Sequence, residues 1–204
     1  MTFIPHGFNT LGDFCCLRPT TKYNKSSLLK GNAMKVSNPI DMQNNDISFQ
    51  TEDDRRFRLR AAAIIIEDGC VLFATNNAEK YYYSIGGAIE LGETAEHAVL
   101  REVLEETGVP YQIDRLAFVQ ELFFKRDDGM LKGLDCHEIT FFFLMKPRGS
   151  QQLNSHSKTL NNTLPERMCW LPIDKLDQYE AYPEFFRTEL KNLPPYVKHI
   201  VTHQ

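Results

Sequence analysis

Three glutamates, Glu102, Glu105 and Glu106, fall together in the run Arg101-Glu102-Val103-Leu104-Glu105-Glu106. On a helix, where each residue turns the chain by 100°, they share one arc, with Glu102 and Glu106 a turn apart and Glu105 beside them. Like charges at i and i+4 weaken a helix by roughly 0.2–0.5 kcal/mol per pair. Acids near the C-terminus of a helix also oppose its dipole. A hard divalent cation offsets both costs, because Mg²⁺ takes carboxylate oxygens and keeps coordination positions open for phosphate. For an arbitrary Glu-Glu pair a solvated acidic face is the simpler reading. The flanking residues turn the choice toward a metal site.

The helix that must carry these acids has a marker at each end. Gly86-Gly87 precedes it and Gly92-Glu93-Thr94 leads in. Thr94 suits an N-cap, Glu96 sits in the first turn and Gly108 stands where a C′ glycine belongs, so a helix is expected from Ala95 to Thr107. Val99, Leu100, Val103 and Leu104 occupy the arc next to the acids and are expected to face a core.

The segment from Gly87 to Val109 resembles the Nudix box of the Nudix hydrolases. Gly87, Glu93, Arg101, Glu102, Val103, Glu105, Glu106, Gly108 and Val109 match that pattern at every position. A pattern of this length at fixed spacing is far more specific than a lone glycine motif. The family commonly has proline before the double glycine, and Ile85 departs from that. The resemblance runs from about Phe57 to His199 and implies an α/β/α sandwich. It also implies a Mg²⁺-dependent hydrolase, with Mn²⁺ as a substitute, that cleaves the phosphoanhydride of a nucleoside diphosphate linked to another group. Glu102, Glu105 and Glu106, helped by the Gly86 carbonyl, are the ligands that resemblance and helical geometry select together. Glu102 also suits a base or water-orienting role. Glu93 and Arg101 are expected to pair and fix the loop against the helix, so with Gly87 and Gly108 they read as structural.

A further acid from outside the box is expected to assist. Glu138 and Glu166 are the candidates and Glu121 is a weaker third, although each alone also reads as a surface carboxylate. His137 suits a base, but a single histidine beside a strand is more often structural, and His97 reads as solvated. Arg58 and Arg60 have the bidentate geometry to hold distal phosphates, and read equally as ordinary edge-strand charges. Tyr81, Tyr83, Phe123 and Phe124 could stack on a nucleobase or simply fill the core. A Nudix-fold binding or regulatory domain without turnover is the main competing reading, and a purely structural acidic helix is the second.

Composition bounds these alternatives. A chain of 204 residues with 42% hydrophobic content suits one domain with residues to spare. A formal charge of −4 argues against a nucleic-acid surface. It also repels phosphorylated substrates unless cations intervene, leaving small nucleotides as the expected partners. A homodimer is compatible with the resemblance. Cys15, Cys16, Cys70, Cys136 and Cys169 are odd in number and lack CxxC spacing, so a reducing, cytoplasmic setting is expected. No apolar run reaches membrane-spanning length and no signal-peptide pattern appears.

The chain divides near residue 50. Residues 1–50 are rich in Asn, Ser, Thr and Lys without a sustained period, and are expected to form a poorly ordered extension, with Met34 or Met42 as alternative starts. Residues 51–204 are expected to form the domain. Strands are expected over Ala61–Ile66, Val71–Thr75, Tyr81–Tyr83, Ala88–Glu90, Leu116–Phe124, Ile139–Met145 and Met168–Leu171. Asp68-Gly69 marks a hairpin turn, and Asp127-Asp128-Gly129 lies in a charged loop. A polar loop runs from Lys146 to about Pro165, and Pro183 opens a second helix whose apolar face holds Phe185, Phe186 and Leu190. Strands around two helices without βαβ alternation indicate an α/β class with a mixed sheet between helices.

Overall fold

The run Ala61-Ala62-Ala63-Ile64-Ile65 is apolar throughout because both of its faces are buried. Successive side chains in a strand point to opposite faces, and here they enter two separate cores. Ala61, Ala63 and Ile65 pack with Ala98, Val99 and Val103. Ala62 and Ile64 pack with Phe186 and Leu190. The strand therefore lies between two helical layers, which is the expected α/β/α arrangement.

A computed structural model describes residues 45–78, 80–125, 131–159 and 164–204. The strands before the first helix are β1 (Ser48–Gln50), β2 (Arg55–Ile64), β3 (Ile66–Glu67), β4 (Cys70–Asn76), β5 (Tyr82–Ser84) and β6 (Gly86–Ala88). Helix α1 (Ala95–Thr107) is followed by β7 (Ile113–Lys125), β8 (Asp135–Met145), β9 (Lys158–Thr159), β10 (Leu164–Pro172) and β11 (Ala181–Tyr182). The short helix α2 (Phe186–Glu189) and strand β12 (Lys198–His203) complete the domain. One six-stranded sheet has the order β1-β2-β8-β7-β12, with β6 also paired to β2. The other has the order β11-β5-β4-β10-β9, with β3 beside β4. In the first sheet β2 runs parallel to β8, while β7 and β8 are antiparallel.

Several expectations shift. Ser48–Gln50 precede the division expected near residue 50 and pair with β2 in register with Arg56–Arg58. Residues 1–44, with Met34 and Met42, and the Asp127-Asp128-Gly129 loop lie outside the described residues. Because β1 and β8 flank β2 along Arg58, that residue stands on an interior strand. Arg60 is flanked in the same way by β6 and β8. Neither arginine is the edge-strand charge of the simpler reading. The second helix keeps its apolar face, with Phe186 and Leu190 buried, but starts later and is a single turn followed by a 3-10 turn over Leu190–Asn192. Pro194-Pro195 holds Leu193 extended (ψ 123°) and stops the helix there. Ile85, in the place of the family's proline, is wholly buried, and its carbonyl accepts the Ala63 N–H at 2.9 Å. Among the described residues, no helix is long and apolar enough to cross a membrane.

Helix α1 has the expected ends. The Thr94 hydroxyl accepts the His97 N–H at 3.2 Å, and Gly108 closes the helix with φ +69°. A Cβ on Gly108 would stand 2.0 Å from the Asn154 carbonyl oxygen. Gly108→Ala is therefore expected to lose at least about 1–2 kcal/mol from left-handed backbone alone, read as a lower urea midpoint with α1 still formed by circular dichroism.

Candidate active site

The buried residues of α1 are Ala98, Val99, Val103 and Thr107. Val99 and Val103 face the core as expected, but Leu100 and Leu104 are 36% and 51% exposed. The inner arc instead includes Glu102, four residues after Ala98, and Glu106, four further on. Charged side chains fit there because the opposite wall has none. The Glu102 carboxylate lies across Gly87, where an added Cβ would stand 2.2 Å from its Oε1. Gly86, with φ +134°, presses against β2 so closely that a Cβ would meet the Ala61 carbonyl oxygen at 2.3 Å.

Arg101 organises the acids around it. Its Nε and Nη2 each donate at 3.0 Å to the two oxygens of Glu93, so the expected pair is present and bidentate. Nη2 also donates to the Ala88 carbonyl at 3.1 Å, joining β6, the loop and the helix. Nη1 donates to Glu102 Oε1 at 2.7 Å and reaches Glu105 Oε2 at 3.5 Å. The Arg101 hydrogen bonds hold the Glu93 carboxyl below its usual range. Burial pushes the Glu102 carboxyl up, with Arg101 opposing. Glu106 is pushed well above the usual carboxylate range, first by burial and then by the charges of Glu166 and Glu102. Its Oε1 accepts the Gly86 N–H at 3.1 Å. Its Oε2 is buried with no hydrogen-bond partner among the described residues.

The candidate acids outside the helix go to different places. Glu166, on β10, joins the cleft: Tyr83 Oη donates to its Oε1 at 2.6 Å, and the Ser157 hydroxyl donates to its Oε2. Asn76 Nδ2 in turn donates to Tyr83 Oη at 3.2 Å. Glu138 lies with Arg58 (3.7 Å), Arg60 (3.8 Å) and the Thr140 hydroxyl (3.1 Å), and does not line that cleft. Glu121 meets His199 at 2.7 Å and His137 at 3.7 Å. The His137 ring is stacked on Phe123, with centroids 4.2 Å apart, which gives it a place in the sheet rather than in the cleft. His97 is exposed, as expected.

A cleft of about 770 Å³ gathers Glu102, Glu105, Glu106 and Glu166 together with Arg58 and Arg60. Arg60 Nη2 donates to the carbonyls of Gly86 (2.7 Å) and Ser84 (3.4 Å). The Gly86 carbonyl, expected among the metal ligands, is thus engaged by Arg60 and keeps one lone pair. Tyr81 and Tyr83 line the cleft, whereas Phe123 and Phe124 do not. Sequence reasoning missed Asn76, His156, Ser157 and Lys158, which also line it. The last three sit in a polar run with no period, and nothing in the sequence singles them out.

Hard carboxylate oxygens, one of them buried and unpartnered, form a donor set that fits a hard divalent cation. As the side chains stand, no three His, Cys, Asp or Glu residues among those described close into a metal-sized group. Glu102 faces Arg101, and Glu105 is 59% exposed.

Comparison with known proteins matches residues 56–189 to the family model described as NUDIX domain. A MutT-like protein from Streptomyces ambofaciens is 30% identical over 122 residues, covering 59% of this chain and 67% of that protein. A MutT protein structure from Bacillus halodurans aligns with a TM-score of 0.51 and 16% identity, over 70% of this chain and 89% of that one, a likeness of fold. The E. coli ORF135 protein aligns with a TM-score of 0.46 and 20% identity, over 64% and 84% of the two chains.

The raised Glu106 carboxyl has a consequence for stability. A group whose native pKa exceeds its unfolded value, about 4.3 for Glu, contributes stability that is complete below that value and lost as pH rises through the native one. With EDTA present, Glu106→Gln is therefore expected to gain urea resistance relative to the parent between pH 5 and pH 8. Parallel midpoints at the two pH values would contradict this.

Proposed function

The chain belongs to the Nudix hydrolase family, and from that premise we propose that it hydrolyses, with Mg²⁺ bound, the phosphoanhydride of a nucleoside diphosphate joined to another group. Nucleoside triphosphates and nucleotide sugars are the substrate classes that fit. One observation carries this reading. The buried, unpartnered Glu106 oxygen shares its cleft with Glu102 and Glu166, a concentration of negative charge that a divalent cation compensates.

Glu102, Glu105 and Glu106 would hold Mg²⁺ or Mn²⁺, with the free lone pair of the Gly86 carbonyl as a further donor. The bound cation supplies charge neutralisation for the phosphates and acidifies a water. Glu166, with a donor on each oxygen, would be placed to accept a proton from a water in the cleft. Glu138 instead anchors the guanidinium groups of Arg58 and Arg60 from behind. Those guanidinium groups line the cleft where phosphates distal to the cation would lie. Tyr81, lining the cleft with its ring centroid 6.1 Å from that of Tyr83, offers a face or edge to a planar base. The acidic chain and its cysteine pattern fit a small-molecule substrate in a reducing, cytoplasmic setting.

A panel of nucleotides and nucleotide sugars, incubated with and without Mg²⁺, tests this reading. Turnover only with metal is expected, whereas saturable binding without turnover would reassign the chain as a binding domain. Glu105→Gln is expected to lower turnover by about 100-fold or more while leaving the fold intact, because Glu105 is 59% exposed. Undiminished Mg²⁺-dependent hydrolysis by that variant would remove Glu105 from the site. A chain started at Met42 retains every described residue and is expected to keep parental kcat and KM.

A further inference from the structure

Residues 146–157 have no regular secondary structure, yet specific bonds hold them along their length. Glu67, only 3% exposed, accepts the backbone N–H groups of Arg148 (2.6 Å) and Gly149 (2.9 Å) on its two oxygens. The Arg148 guanidinium stands 5.0 Å over the Tyr111 ring. Trp170 Nε1 donates to the Gln151 carbonyl at 3.0 Å. The Asn154 N–H donates to the Thr107 carbonyl at 2.9 Å, so the segment is seated on the end of α1.

From that seat two serines reach in different directions. The Ser155 hydroxyl donates to the backbone carbonyl of Glu106. The Ser157 hydroxyl donates to Glu166 Oε2, and the Glu166 N–H returns to the Ser157 carbonyl at 3.0 Å. The Ser157 N–H contacts the Ser155 hydroxyl at 3.4 Å, which closes the link. A three-residue bridge therefore joins an acid on α1 to an acid on β10. We propose that Ser157 is a positioning residue that sets the Glu166 carboxylate against Glu106 across the cleft, with Tyr83 as the second donor. The inference rests on the reading of Glu166 as the acid that assists hydrolysis.

The physical reason lies in the last torsion of the glutamate side chain, which is broad and gives the carboxylate plane little intrinsic preference. One donor on each oxygen fixes that plane in a residue that lines the cleft. Removing the Ser157 hydroxyl leaves only the Tyr83 bond, about which the carboxylate is free to turn. Because Ser155 anchors the bridge to the helix backbone, the backbone spacing survives that loss and only the aim is affected.

The test compares the parent with Ser157→Ala, Ser157→Thr, Glu166→Gln and the Ser157→Ala/Glu166→Gln double variant, reading kcat, KM and Mn²⁺ affinity by electron paramagnetic resonance. Ser157→Ala is expected to lower kcat roughly tenfold with KM within about twofold and, because the Glu166 charge acts directly on the Glu106 carboxyl in the same cleft, to weaken Mn²⁺ binding several-fold. Ser157→Thr, which keeps a hydroxyl, is expected to restore most of both. In the Glu166→Gln background, Ser157→Ala is expected to have no further effect, because Ser157 acts through Glu166. Parental kcat and Mn²⁺ affinity in Ser157→Ala overturn the proposal. So do losses that add in the double variant, which would make Ser157 a direct substrate contact or a loop staple. If the parent hydrolyses nothing in the panel, the proposed function fails and the Mn²⁺ titrations alone decide Ser157: a non-additive loss supports it, and parental affinity overturns it.

Discussion

The site depends on carboxylates lying on the inward arc of a helix. Glu102 and Glu106 occupy positions that an ordinary packed helix gives to apolar side chains, and Gly86 and Gly87 leave the space they need. That arrangement is costly by itself. Both carboxyls are pushed up by burial, and no basic residue stands in the last turn of the helix. Arg101 answers part of the charge by holding Glu93 and Glu102 together and fastening the loop to the helix. Glu106 is the residue it does not reach. The uncompensated oxygen there is the physical link between the packing of α1 and its chemistry.

The sheets hold this helix in place. β2 sends alternate residues into two cores, so its backbone is clamped from both sides where Gly86 and Gly87 pair with Ala61 and Ala62. A few residues earlier, the same strand presents Arg58 and Arg60 to the cleft, with Glu138 on the parallel neighbour β8 behind them. The cation side and the acid side of the cleft are thus set by one strand and its two pairings. The second sheet supplies the remaining acid, because Glu166 on β10 sits in register with Asn76 on β4, and Asn76 orients Tyr83.

The legible parts of the fold were those with local causes. The ends of α1 followed from Thr94 and Gly108, and the buried strand followed from its unbroken apolar run. The less legible parts depended on partners far away in the chain. Strand β1 forms by adding to the edge of β2, and β12 forms by lying parallel to β7, and neither carries a strong pattern of its own. Apolar character alone would send Leu100 and Leu104 inward, because hydrophobicity normally selects the core face. Two glycines on the opposite wall changed which arc was buried.

Residues close together in the chain specify the carboxylate cluster and its carrier: three glutamates at helical spacing, an arginine beside them, and a glycine turn before them. These are contacts within one helical segment and its flanks, so spacing alone specifies them. Tertiary structure decided which outside acid joins that group. Glu138 and Glu166 look alike in the sequence, but side chains alternate along a strand and the two acids stand in different sheets. One therefore meets Arg58 and Arg60, and the other meets Tyr83 and Ser157 at the cleft. That choice rests on long-range pairing and register, which local residue types do not encode.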